Sequence, residues 1–171
     1  MVALKVLGDE PTYLETETDM RQYLDSLFSK GSRYESFANV DFQVVQDASA
    51  DRIAHIVTSV PDNVLSIGID HSAGYGGILW YCDGEMVNRV AGSHGNDVAR
   101  NAWVSLNENP PETDPRVLSD PSCPTFFDRI SALPLPVVRS TVEDYFREGT
   151  GFRPRLIRWT KGHFTGELYA E

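Results

Sequence analysis

Cysteine is almost absent: Cys82 and Cys123 are the whole supply in 171 residues. Two thiols make no disulfide framework, and without a C-x-x-C spacing they make no structural zinc site. Long apolar runs are missing too. None approaches the ~18 residues needed to span a bilayer. The N-terminus, M-V-A-L-K-V-L-G-D-E, is too short an apolar stretch for a signal peptide and soon turns acidic. Positive charge is scarce. Fifteen Lys+Arg stand against twenty-five Asp+Glu, for a formal net charge of −10. Such a chain repels phosphates, which argues against free nucleic acid and anionic membranes as partners and leaves a basic protein as the natural one. The four histidines, His55, His71, His94 and His163, are scattered, with no H-x-x-x-H pair to put two imidazoles on one helical face. No metal and no cofactor is expected, and the cysteine usage fits a reducing cytoplasm.

What is present is ordinary for a globular protein: 41% apolar and 23% charged residues, enough to bury a core in a single domain over residues 1–171. The clearest segment runs from Ala132 to Trp159. Pro136 suits a first helical turn, where its missing N–H is not needed. Val138, Val142, Tyr145 and Phe146 recur at helical spacing and draw one apolar stripe. Arg139, Glu143 and Arg147 fall on the wet side as i,i+4 pairs. Gly149 and Gly151 offer positive-φ residues to end the helix, and Arg153-Pro154 cannot continue it. Leu156, Ile157 and Trp159 then read as a strand. Phe146 and Trp159 are expected to be buried and close together, so Phe146→Ala should cost about 3–5 kcal/mol.

Upstream, Val2 to Leu7 suggests a first strand and Gly8 to Thr18 a loop. Met20, Tyr23, Leu24, Leu27 and Phe28 predict a helix over Asp19–Ser29, capped by Thr18 or Asp19 and closed by Gly31. Phe42 to Val45 reads as a strand. The β-branched content of Ile53 to Val60 favours a strand there as well. Val64 to Val90 reads as a meander: L-S-I-G-I-D, a loop, G-I-L-W-Y, a hairpin turn at Asp83-Gly84, and a return over Glu85–Val90. Asp97 to Leu106 predicts a short helix. Residues 107–124, rich in proline and acids, form a long irregular segment. The fold class expected is α+β: an antiparallel meander of about five strands with the two main helices on one face.

No catalytic constellation emerges. Cys82 closes an apolar strand, where an inert buried thiol is expected. The glycines of G-Y-G-G precede a strand rather than a helix, so they suit a turn and not a phosphate cradle. Arg147, Arg153, Arg155, Arg158 and Lys161 interleave with Phe152 and Trp159 as in single-strand binders, but neutralising the chain's own acids fits the net charge better.

Together these pieces resemble the deaminase-immunity family, the first-numbered immunity class of bacterial polymorphic toxin systems. The residues that carry the resemblance are the glycine-apolar-aromatic strand Gly77–Tyr81 with Trp80, the proline-initiated helix with Pro136 and Phe146, the T-G-x-R-P turn with Gly151, Arg153 and Pro154, and the closing Trp159. The resemblance implies that these residues set the fold, that there are no catalytic residues, and that the chain is not an enzyme. It implies a cytoplasmic protein that binds and blocks a cognate toxin, often a basic nucleic-acid deaminase. The 107–124 segment and the tail after Trp159 extend past the family's usual pattern, which makes them candidates for partner contacts. Exposed loop acids are the natural contacts, namely Asp70, Glu108, Glu112 and Asp114, with Tyr75 and Trp103 as aromatic anchors. The alternatives are a non-inhibitory adaptor and, behind it, a small hydrolase.

Overall fold

The computed structural model describes residues 1–29, 37–54 and 60–170. In chain order the elements are β1 (Ala3–Val6), β2 (Thr12–Leu14), α1 (Glu17–Phe28), β3 (Phe37–Val45), α2 (Ala48–Ala54), β4 (Asn63–Asp70) and β5 (Tyr75–Cys82). Then come α3 (Gly84–His94), α4 (Asn96–Ala99), β6 (Ala102–Leu106), β7 (Leu118–Asp120) and β8 (Thr125–Phe126). A 3-10 turn over Arg129–Ser131, β9 (Leu133–Pro134), α5 (Leu135–Glu148) and β10 (Arg158–Gly162) complete the chain. Eight strands form one antiparallel sheet in the order β10-β6-β5-β4-β3-β1-β2, with β9 also paired to β5. The α+β class and the antiparallel pairing of β4 with β5 agree with the sequence reading; the strand that follows them in the meander is β6, not the expected Glu85–Val90. The sheet is larger than the five strands expected.

Strand alternation divides the sheet's side chains between two layers. Phe42, Leu65, Ile67, Ile78 and Trp80 join Met20 and Leu24 of α1, Met86 and Val90 of α3, and Val138, Val142 and Tyr145 of α5 in the main core. Leu79 and Val104 point the other way and meet Val117 and Phe127. The second layer exists because β4 and β5 carry facing glycines. Gly68 and Gly77 are register partners. A Cβ on Gly68 would lie 2.2 Å from the Leu118 carbonyl oxygen, and one on Gly77 would lie 2.3 Å from the Phe127 ring. The bare notch seats the β7–β8 hairpin directly on the sheet, and Asn39 Nδ2 donates to the Leu118 carbonyl at 2.8 Å. Gly77 therefore serves packing, not the turn predicted for its G-Y-G-G run. Only Gly74 of that run has positive φ.

Helix α1 begins two residues earlier than predicted because Thr16, not Thr18 or Asp19, is the cap. The Asp19 amide donates to Thr16 Oγ1 and the Asp19 carboxylate accepts from the Thr16 amide, a reciprocal capping box. Gly31, the expected closing residue, lies outside the described residues. Helix α5 follows its predicted stripe, but Leu135 is already helical and Pro134 caps it without a side-chain bond. Gly149 closes it in the left-handed conformation. Arg139 bonds Glu143 at 2.9 Å and also Asp25 at 2.6 Å, which ties α5 to α1.

Several sequence expectations are corrected. Asp83-Gly84 is not a hairpin: Asp83 is the N-cap of α3, whose Met86 and Val90 sit at i,i+4 and are buried. The expected loop before α1 contains β2. The expected Asp97–Leu106 helix is the four-residue α4 followed by β6. Ala48–Ala54 is helical, so the strand predicted from Ile53 does not start there; residues 55–59 lie outside the described residues. The last strand starts at Arg158, so Leu156 and Ile157 precede it. Phe146 and Trp159 are each only partly buried against the core, and the fully buried large aromatics include Trp80 and Tyr145. The cost expected for Phe146→Ala falls accordingly below the range for a fully buried ring.

Candidate functional site

Trp80 and Gly151 of the motif meet Tyr145 around Asn63, at the start of β4. Backbone pairing of β3 with β4 ends at Phe42 and Leu65. Beyond it, the Asn63 side chain replaces the ladder: the Val44 amide donates to Oδ1 at 2.9 Å, and Nδ2 donates to the Val44 carbonyl at 3.0 Å. The Tyr145 hydroxyl donates to the same Oδ1 from α5. Gly151 passes so close that a Cβ there would lie 2.8 Å from Asn63 Cγ. Its φ of 76° also favours glycine. The Gly151 carbonyl accepts from Trp80 Nε1 at 3.2 Å. Past the turn, the Pro154 carbonyl accepts from Trp159 Nε1 at 2.8 Å. The T-G-x-R-P turn is thus tied to sheet, helix and final strand at once.

The residues nominated for partner contact are spread over the molecule. Asp70 is not the exposed acid expected. It is 5% exposed at the end of β4, and its Oδ1 accepts from the Ser72 and Ala73 amides and the Ser72 hydroxyl. Tyr75 does not project from a loop. It opens β5, half-buried against the second hydrophobic layer. Trp103 is half-buried in β6, donates to the Val98 carbonyl at 3.0 Å, and carries the Arg153 guanidinium 4.1 Å above its ring. Glu108, Glu112 and Asp114 are exposed. Glu108 pairs with Arg158 at 3.1 Å across two solvated side chains, and Asp114 Oδ1 accepts from the Arg116 amide. Lys161 pairs with Asp97 at 2.6 Å. Two members of the C-terminal basic cluster therefore pair with the chain's own acids.

The structure also gathers residues that sequence reading did not single out. Where the β7–β8 hairpin and the tail after β10 fold over the second face of the sheet, they leave a cleft of about 280 Å³. Asp41 and Asp120 line it with Tyr81 and Phe164. Phe164 is 66% exposed and stands edge-on to Tyr81, with ring centroids 5.1 Å apart. Alternation within β3 signals that Asp41 faces away from Phe42, but nothing local brings Asp120 and Phe164 beside it. The two segments singled out as departures from the family pattern meet at this cleft.

The chemistry of the individual groups is quiet. Burial, with the nearby Asp62 and Asp83 charges, pushes the Cys82 thiol up to about 11, and its Sγ lies 3.3 Å from the Ala99 carbonyl. A thiol so protonated is a poor nucleophile at neutral pH. Burial and then the Asp51 hydrogen bond raise Tyr13 to about 12, and burial raises the enclosed Tyr145 well above its ordinary value. Among the described residues no three His, Cys, Asp or Glu side chains converge as a metal site would need.

These raised values set the alkaline behaviour. The folded state keeps its Cys82, Tyr13 and Tyr145 protons after the unfolded chain has begun to lose them, near 9.0 for the thiol and 10.0 for the phenols. Their contribution to stability is therefore complete below about pH 9 and is lost as pH rises through the folded-state values, about 11 for Cys82 and about 12 for Tyr13. Urea midpoints taken at about pH 8 and about pH 10.5 should fall, and fall less steeply in Tyr145→Phe. A flat profile between those pH values contradicts this.

No helix among the described residues is long and apolar enough to cross a membrane. Neither the curated proteins nor the solved structures contain a significant match to the chain. Residues 8–161 match the family described as Immunity protein Imm1, a span that takes in every element from β2 to the body of β10. The chain belongs to the Imm1 family of immunity proteins, whose partners are cognate toxins.

Proposed function

We propose that this immunity protein neutralises a basic, nucleic-acid-directed toxin, in particular a deaminase, by occupying its active site or substrate channel. The observation that carries the reading is the acidic and aromatic surface built by residues 107–124 and the tail. Asp41 and Asp120 flank Tyr81 and the exposed Phe164, and Glu108, Glu112 and Asp114 stand on the adjoining segment. A deaminase that acts on DNA or RNA needs a basic channel and an open pocket for the extruded base. A chain of net charge −10 complements such a channel, accelerates encounter, and places aromatic side chains where they desolvate on docking. In this reading the protein acts in the cytoplasm by occupancy alone and turns over no substrate. Asp70 and Tyr75 contribute through the fold of the β4–β5 turn; the solvated acids make the encounter.

Reversing Glu108, Glu112 and Asp114 together to lysine tests the docking surface. Rim charges act mainly on association. The triple variant, still folded, should associate with the cognate toxin domain about tenfold more slowly, with a shallower salt dependence. An association rate and a salt slope equal to wild type would remove this acidic segment from the interface.

A further inference from the structure

We infer that the cleft between α3 and the turn that follows α5 receives one carboxylate, an Asp or Glu side chain of the bound toxin. The cleft has a volume of about 250 Å³, and Arg153, His94 and Arg155 line it with Trp159. It is a basic site in an acidic chain. The inference rests on the toxin-binding reading above and names a contact within it.

Two of the residues that line this cleft each carry a buried nitrogen without a hydrogen-bond partner: Arg153 Nη1 and His94 Nδ1. Buried polar atoms in native proteins are nearly always satisfied, so two orphans on residues that line one cleft point to an absent acceptor. Both are donors. Arg155 Nη2 lies 3.3 Å from His94 Nε2, and since a guanidinium only donates, Nε2 accepts. The imidazole proton then sits on Nδ1. Both groups call for an acceptor, which a carboxylate supplies with charge, and they offer nothing to a cation.

Arg153 is held ready for this. Its guanidinium lies on the Trp103 ring, with the centroid 4.1 Å away, and His94 is braced edge-on by Phe152 at 5.1 Å. Burial weakens the hold of Arg153 on its proton, and Asp97 partly offsets this. Asp97 itself is engaged by Lys161 and Asn101. A solvated acid of the chain therefore does not fill the cleft; an incoming one does. The site suits a single charge, because a polyphosphate would meet the field of a chain at −10. In an otherwise acidic chain, one basic cleft rejects misaligned dockings and fixes register.

The test has two arms on the full chain. In the first, sodium acetate is titrated at constant ionic strength, with chloride as control, while NMR follows the Arg153 Nε–H and the His94 ring. Saturable shifts at both residues, lost in Arg153→Met, are expected. No saturation there, as when only ordered water fills the cleft, overturns the proposal. In the second arm, Arg153→Met and the exposed Arg155→Glu are compared with wild type for toxin dissociation, with melting curves to show that each is folded. Dissociation constants raised by ~10-fold or more are expected of both. Folded variants that bind the toxin like wild type overturn the toxin as the source of the carboxylate, even if acetate saturates. If wild type itself binds no toxin while acetate still saturates, the toxin is again overturned as the source, and the fault lies with the partner reading beneath it. Because Arg155 is exposed, its variant decides between these outcomes even if Arg153→Met does not fold.

Discussion

Asn63→Ala should destabilise the protein by about 3–5 kcal/mol, since each buried group left unpaired costs about 1–3 kcal/mol. Asn63 is fully buried and stands where backbone pairing of β3 with β4 stops. Its amide serves both the N–H and the carbonyl of Val44 and also receives the Tyr145 hydroxyl. Alanine leaves all three groups without that partner inside the core. Tyr145→Phe removes only one of these bonds and should cost about 1 kcal/mol. Urea denaturation followed by far-UV circular dichroism separates the two. A loss below about 1 kcal/mol for Asn63→Ala would mean that the Val44 groups find other partners and that Asn63 is not the node described.

Asp51→Ala should cost a similar amount, about 3–5 kcal/mol, for an electrostatic reason. Lys5 lies in β1 with its side chain 1% exposed, and its ammonium meets Asp51 Oδ2 at 2.6 Å. The Tyr13 hydroxyl donates to the same oxygen at 2.6 Å. Removing the carboxylate leaves a desolvated ammonium without its counter-charge, 5.7 Å from the centroid of the Tyr13 ring. The sign of the double variant is the sharper test. Lys5→Met with Asp51→Ala removes both charges, and an apolar replacement of a buried pair is often neutral. The double variant should therefore be more stable than Asp51→Ala alone. If it is less stable, the penalty does not come from an uncompensated Lys5 charge.

The legible parts of the fold are those whose signal is local. The stripes of α1 and α5 repeat over three turns, and the alternation of L-S-I-G-I-D is that of a strand with one face in the core. Asp83-Gly84 misled because the same dipeptide serves a hairpin and a helix cap. What decides is the following spacing, Met86 and Val90 at helical period, with Val87 and Ala91 packed beside them. The A-W-V-S-L strand hid behind a pattern short enough to suit either period. Ala102 and Val104 face the second layer, while Trp103 faces the main core.

The candidate site was harder to see, because its parts are joined only by tertiary structure. Glu108, Glu112 and Asp114 are visible as acids in a proline-rich segment. Asp41, Asp120 and Phe164 become neighbours only because Gly68 and Gly77 let the hairpin sit on the sheet and the tail follow it. Arg153 reads in sequence as one of five basic residues. Its unsatisfied nitrogen appears only once Trp103 has fixed the guanidinium plane. Asp70 illustrates the reverse error, since an acid beside a loop is as apt to cap the loop's own amides as to face a partner.

The most direct test of the central claim, that this chain neutralises a cognate toxin by binding it, is growth under co-expression with that toxin domain. Cells that express the toxin alone should stop growing. Cells that also express the wild-type chain should grow as uninduced cells do, and the two proteins should purify as one complex. Growth arrest that persists despite abundant, folded immunity protein, with no complex recovered, would contradict the account.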